Sequence, residues 1–565
     1  MKQHLRTIHS LIIPFLYISL PLLSEHYAAR EYVVTGICLV VCATFLCLRF
    51  GFEKRRAISF SATDGWVAAF AFYILLRNLM KGDVDPAYYY FMLLGGMLYF
   101  IGRTSTAGER TALFYGIILS GVVQSVVGLL QFSGILCSNH TAFRLTGSFQ
   151  NPGMLGGYLA CSMLTAMAVL ALLPRQKQSG KITLCASLAL MGLVCLLSDS
   201  RAAWLAVVVV TIAIVARKIE TKRRSKLIGI SLAGVLLVVG LYLYKPKSAD
   251  SRILIWKVCA SMLLDKPIFG HGADAVRQNY APYLAKQLRK SANKQEQELA
   301  ADNTYAFNEP LRIGCENGII GIVLAGGIFL TIVRGRKQTS HRIAIYPMAG
   351  FGLFSLFSYP LGCLPLAALL PLATGMAASG KSRFNIRQGQ PILLLLFVSG
   401  TLCFLPEWKR NNQLTTMLFA FRHEALFEAD LQRAYPQFKH QTRPVFRYAT
   451  ILFQQENYAA ALPVWQQAAK LCPTNRIYCN LGYCYQQTGN YQEAEQTYLL
   501  ASATYPTYLT PRYRLFKLYL SQKREAEAKQ IAVEIGRMKV KIENDATRNM
   551  KKEVLHYLQT SFPGF

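Results

Sequence analysis

The chain has 565 residues, of which 53% are hydrophobic and only 16% charged, with a formal net charge of +31. A soluble globule carries roughly 25% charged residues, so this composition excludes a string of ordinary soluble domains and describes a membrane protein. It also argues against a nucleic-acid face, because the positive charge is divided into short runs between apolar segments rather than gathered on one surface.

Apolar stretches of about 16–25 residues fit a hydrocarbon core ~30 Å thick. They fall near 8–23, 32–50, 64–80, 87–102, 111–136, 152–173, 182–198, 201–216, 227–244, 314–333, 343–358, 361–379 and 391–405. The expected fold is therefore all-α: a polytopic membrane domain of about thirteen helices over 1–405, followed by a helical C-terminal domain. The first segment has basic flanks but no clear small-x-small cleavage site, and reads as a retained signal-anchor. With the N-terminus in the cytoplasm, the basic runs Lys54-Arg55-Arg56, Arg175 to Lys181, Arg217 to Lys226, Arg334 to Arg342 and Lys381 to Arg387 all fall inside. Loops 137–151 and 245–313 then face outward, and an odd number of spans sends the C-terminal tail outward too. Most of the 14 Cys lie in apolar segments, where Cys acts as a small hydrophobe; Cys472, Cys479 and Cys484 lie in the tail, where a disulfide remains open.

The polar stations concentrate at that outer face. "FRLTGSFQNPGMLGGYLA" (143–160) places Asn151 and Pro152 as cap and first turn of a helix. Gly153, Gly156 and Gly157 then allow close approach of another helix or a lipid. "SDSRAAWLA" (198–206) puts Arg201 at a membrane edge, where a charge is functional or snorkels to headgroups. The outer loop opens with "SRILIWKVCASMLLDKPIFGHGADAVRQNY", whose start reads as an amphipathic helix lying on the membrane, with Arg252 and Lys257 reaching headgroups. Residues 269–276, "FGHGADAV", form a Gly-rich turn, a weak signal alone. The loop closes with "ADNTYAFNEPLRIGCENGIIG" (301–321), a polar run leading into an apolar span. No ligand spacing for a metal and no nucleotide fingerprint is present, so the expected cofactor is none. Arg77 is the one charge set well inside an expected span.

After a linker at 406–443 the pattern changes to paired amphipathic helices over 444–540, with a tail at 541–565. "ENYAAALPVWQQAAKLCPTN" aligns with "GNYQEAEQTYLLASATYPTY", pairing Tyr458 with Tyr491, Ala461 with Ala494 and Pro473 with Pro506 at a constant offset of 33. That is close to the roughly 34 residues of tetratricopeptide repeats. A weaker third unit, "QKREAEAKQIAVEIG", follows. Such pairs stack into a concave surface that usually holds peptide or protein.

Over about 110–380, the ordered set "TGSFQNPGMLGGYLA", "SDSRAAWLA", "SRILIWKVCASMLLDKPIFGHGADAV" and "FNEPLRIGCENGIIG" resembles the O-antigen ligase family. That family comprises lipopolysaccharide ligases, O-antigen polymerases and protein O-oligosaccharyltransferases. The resemblance implies a metal-independent glycosyltransferase of the GT-C kind in the bacterial inner membrane, with its site and C-terminal repeats in the periplasm. The implied donor is a glycan on undecaprenyl pyrophosphate, and the acceptor a hydroxyl of a glycan, lipid or protein. Arg201 and Arg252 match the positions where the family places pyrophosphate-binding arginines; Arg144 and Arg277 are further candidates. Asn151, Asn308 and Glu316 are candidates for substrate contact, and Glu316 also for orienting the helix that begins near Gly318. The family's motif His is here Phe307, which cannot take a proton, so the base candidates become Glu309, then Asp302 and His271. A polymerase of the same family, and a non-catalytic envelope scaffold using its repeats, are the alternatives.

Overall fold

A computed structural model describes residues 2–26, 31–52, 58–82, 84–173, 177–216, 240, 246–291, 293–335, 339–378, 384–386, 389–419, 425–541 and 543–562. The described chain is almost entirely helical, with one short antiparallel pair in which Ile58–Phe60 meets Phe384–Ile386. Among the described residues, five helices are long and apolar enough to cross a membrane: Ala107–Phe132, Pro152–Leu172, Gln178–Leu197, Glu309–Arg334 and Gly389–Asn411. Shorter apolar helices run over Ser10–Leu23, Val33–Arg49, Arg201–Ile214 and Leu364–Ala377. Ala62–Lys81, Ala87–Thr104 and Thr339–Ser355 are helices at three further expected positions. The expected span at 227–244 and the basic runs Lys54-Arg55-Arg56 and Arg217 to Lys226 lie largely or wholly outside the described residues.

The Pro152–Leu172 helix is apolar on every face and buried around most of its length, which makes it the central post of the bundle. Its glycines set the spacing of its neighbours. A Cβ at Gly156 would meet Ser198 and Ser200, and one at Gly157 would meet the Phe354 ring. The same device recurs where Ala87–Thr104 crosses Leu364–Ala377: a Cβ at Gly102 would strike the Leu372 carbonyl, and one at Gly375 the Tyr99 carbonyl. In a bilayer this close backbone approach supplies the packing that hydrophobic exclusion cannot.

The stretch from Pro246 to Asn308 is a folded layer. Helix Pro246–Asp265 leads into the Gly-rich turn, which is followed by Ala275–Ser291 and Lys294–Leu299. The next helix, Glu309–Arg334, breaks at Gly318, whose φ of 64° and ψ of −164° belong to a region that essentially only glycine occupies. The break frees carbonyls that the Gly-rich turn satisfies: His271 N–H donates to Cys315 O at 2.8 Å and Gly272 N–H to Glu316 O at 2.8 Å, while Ile319 N–H returns to Pro267 O at 2.8 Å. A Cβ at Gly270 would collide with the Glu316 backbone. The turn and the "GCENGIIG" stretch are therefore two halves of one backbone joint. Arg77 clamps it from Ala62–Lys81, donating to Phe269 O at 3.2 Å and Gly270 O at 3.1 Å, and Lys81 Nζ donates to Ala273 O at 2.7 Å.

Past residue 405 the Gly389–Phe419 helix continues without a break through Pro406. Helices Thr442–Gln454, Tyr458–Leu471, Asn475–Gln487, Tyr491–Thr504, Leu509–Ser521 and Glu525–Arg537 then alternate, and Asp545–Ser561 closes the stack. The turn before each second helix recurs at Glu456 (φ 59°), Gly489 (φ 81°) and Lys523 (φ 58°), spacings of 33 and 34 residues. The weak third unit thus shares the turn geometry of the first two. Cys472, Cys479 and Cys484 are buried free thiols in these helices.

Candidate active site

Three segments converge. The Ser198–Ser200 turn, with Asp199 at a φ of 53°, launches the Arg201–Ala216 helix and packs its Ser200 hydroxyl on Gly153 O at 3.3 Å. Arg201 therefore sits beside the cap of Pro152–Leu172. Arg252 reaches the same place from Pro246–Asp265, and its half-buried guanidinium lies 5.5 Å from the centroid of the Phe307 ring. Burial, then the neighbouring Arg201 charge, pulls Arg252 below the usual arginine range, while Tyr359 acts the other way. Among the described residues no carboxylate pairs with Arg252.

An aromatic wall backs the pair. Tyr305 stacks on Tyr359 with centroids 3.9 Å apart, and Phe307 meets Tyr359 edge-on at 5.1 Å and 88°. Asn151 caps its helix by accepting Gly153 N–H at 2.7 Å and donates its Nδ2 to the Tyr359 hydroxyl at 3.2 Å. Burial pushes that hydroxyl above the ordinary tyrosine range, so it stays protonated. Asn308 caps the next helix by accepting Leu311 N–H at 2.9 Å and donates to Leu356 O at 3.2 Å. The structure thus brings together Asn151, Arg201, Arg252, Phe307 and Asn308, drawn from four separate stretches of sequence.

The other candidates stand apart or are occupied. Glu309 is buried and accepts Leu361 N–H at 3.0 Å on one oxygen and Arg312 at 2.5 Å on the other. Glu316 is buried against the same Arg312 at 3.1 Å. His271 Nε2 donates to Met262 O at 2.9 Å, and burial lowers its basicity. Asp302 accepts the backbone N–H of Asn475 at 2.8 Å, at the junction with the C-terminal helices. Arg277 pairs with Asp274 at 3.5 Å, and Arg144 is exposed on the 133–151 loop.

Sequence reading missed Tyr359, Tyr305 and Arg312. Tyr359 carries no motif and meets Asn151 across 208 residues. Arg312 did leave a signal: it is three residues after Glu309 and four before Glu316, the helical spacing at which opposite charges pair.

Residues 186–326 match the family described as O-Antigen ligase, and residues 351–519 match that described as Virulence factor membrane-bound polymerase, C-terminal. The matched domains support the O-antigen ligase family. They indicate a membrane glycosyltransferase of the O-antigen ligase or polymerase type, a family that implies lipid-linked glycans and polysaccharides as substrates. The first match contains Arg201, Arg252, Phe307 and Asn308, and the second contains Tyr359 and most of the helix pairs. No curated protein matches the chain.

Proposed function

We propose that this chain moves a glycan from undecaprenyl pyrophosphate onto an acceptor hydroxyl at the periplasmic face of the bacterial inner membrane. The observation that carries the reading is the half-buried Arg252 guanidinium, held 5.5 Å from the Phe307 ring centroid with no carboxylate partner among the described residues, where a pyrophosphate oxygen would supply the counter-charge. The acceptor oxygen forms a bond to the anomeric carbon as the bond to the carrier pyrophosphate breaks, and the electron pair leaves with the pyrophosphate. Negative charge grows there in the transition state, where fixed guanidiniums have the greatest effect. The acceptor proton must also leave. Glu309 remains the first candidate to take it, followed by Asp302 and His271, but Glu309 already accepts two hydrogen bonds. The reading therefore relies on the leaving group more than on a strong base. Asn151 and Asn308 line the site beside the aromatic wall, Glu316 orients the broken helix through Arg312, and Arg144 and Arg277 contribute positive potential farther out.

In the same proposal about thirteen spans make up residues 1–405, the 406–443 stretch joins them to tetratricopeptide-type pairs over 444–540, and a tail occupies 541–565. The N-terminus lies in the cytoplasm and the repeats in the periplasm, where they hold a protein acceptor or partner. No metal or cofactor enters the scheme. Arg201→Ala and Arg252→Ala should each abolish transfer at a normal membrane level; normal glycan attachment in both would sink the pyrophosphate assignment. A polymerase is the second reading, favoured by the match of residues 351–519 to a polymerase C-terminal family. Single repeat units on the acceptor in a deletion strain would select it over the ligase.

A further inference from the structure

Phe307 has a backbone that a bulky residue rarely adopts. Its φ is 49°, in the left-handed region where a side chain with a Cβ is disfavoured. Such a conformation persists only where its surroundings over-determine it. Here they do. The next residue, Asn308, is locked as a helix cap by Leu311 N–H and by Leu356 O. The ring itself is fixed edge-on by Tyr305 at 6.4 Å and by Tyr359 at 5.1 Å. The chain reversal leaves the Phe307 ring facing Arg252, with the guanidinium carbon 5.5 Å from its centroid.

Resting on the pyrophosphate reading, we infer that Phe307 is a positioning residue: its ring face holds the Arg252 guanidinium beside Arg201 without neutralising it. The choice of side chain follows from the charges around it. Arg252 faces the ring from Pro246–Asp265, the Arg201 charge acts on Arg252, Tyr305 and Tyr359 flank the ring, and Glu309 begins the helix on its own segment. A carboxylate at 307 would ion-pair with Arg252 and quench the field that attracts the donor. An imidazole would hold Arg252 only while neutral. A phenyl ring attracts the cation through its quadrupole at every pH and offers it no counter-charge. The aromatic is thus a functional replacement in a site organised around an arginine, and the positive φ is what aims it.

The test uses the detergent-solubilised full chain with undecaprenyl pyrophosphate as the probe. Phe307→Leu should weaken binding by roughly two- to thirty-fold, the range of a cation–π contact between exposed and desolvated limits. Phe307→Tyr, which keeps the ring face, should retain most of the affinity. Phe307→His should bind well at pH 8 and lose more affinity than the native chain as the pH falls through about 6.5, the ordinary imidazole value. The pH-dependent His variant keeps the inference falsifiable even if the Leu variant does not fold. Leu and Tyr variants that both bind like the native chain, with Arg252→Ala losing the probe, would overturn the role of Phe307 and leave the pyrophosphate reading standing. Native binding by Arg252→Ala would overturn both.

Discussion

The Asp302 carboxylate accepts the backbone N–H of Asn475 at 2.8 Å, tying the outer loop to the C-terminal helices across 173 residues of chain. Around it, Lys541 Nζ donates to Leu299 O at 3.1 Å and Ala300 O at 2.9 Å, and Ala281 packs with Tyr478, Ala501 and Tyr505. Only two residues separate Asp302 from Tyr305, which stacks on Tyr359. The C-terminal helices are thus fastened to the strand of chain that builds the aromatic wall.

Asp302→Ala should loosen that junction and lower transfer by about three- to tenfold, in keeping with loss of one charge-assisted hydrogen bond worth roughly 1.5–3 kcal/mol, part of which water replaces. Limited proteolysis between residues 292 and 308 should speed up in parallel. If Asp302 acts instead as the proton acceptor, Asp302→Asn should be as inactive as Asp302→Ala, with no change in proteolysis.

Gly318→Ala tests the joint between the Gly-rich turn and the broken helix. A Cβ there would fall on the Ile268 carbonyl, and the backbone region is one that alanine does not share. The strain alone amounts to about 1–3 kcal/mol, before the collision is counted. The expected result is a clear drop in thermal stability and membrane level, whereas Gly326→Ala, with open space at its Cβ, should be neutral.

Arg312 sits between Glu309 and Glu316, at 2.5 and 3.1 Å. Removing it with Arg312→Ala would strand two buried carboxylates and should cost about 3–5 kcal/mol. Thermal unfolding of the solubilised protein would measure this. The double change Arg312→Met with Glu316→Gln should recover much of the loss, which a purely electrostatic role in substrate binding would not allow.

His271 gives the Gly-rich turn a pH dependence of defined sign. Burial, helped by the cations Lys266 and Lys81, holds its pKa below the ordinary value, against the Met262 carbonyl and Asp265. Protonation therefore favours the opened loop, so the stability it contributes is present above about pH 6.5 and is lost as the pH falls from there toward the folded value. Hydrogen exchange at 266–274 should accelerate between pH 7 and pH 5, and His271→Gln should flatten that response.

The architecture was readable where a pattern is local. The Pro152–Leu172 helix follows from an apolar run with Asn151 and Pro152 at its head, and both residues occupy those positions. The Gly318 break was harder to see, because its cause is the Pro267–Gly272 turn arriving from elsewhere to bond the freed carbonyls. Hydropathy changes near 405, but nothing there stops a helix, so the Gly389–Phe419 helix runs on. In the candidate site, Asn151 and Arg201 drew attention as a helix cap and a membrane edge, and Arg252 and Asn308 through the motif resemblance. Tyr305 and Tyr359 were not, since an aromatic residue near an apolar segment is ordinary until its partners are known.

The most direct test of the central claim replaces the chromosomal gene with one carrying both Arg201→Ala and Arg252→Ala, and then sizes the carrier-linked and acceptor-linked glycans separately. The arginine-pair account predicts glycan accumulating on the lipid carrier, with acceptors left bare or carrying single units, at a normal membrane level of the protein. Unchanged pools in both fractions, in a strain with no second such enzyme, would contradict it.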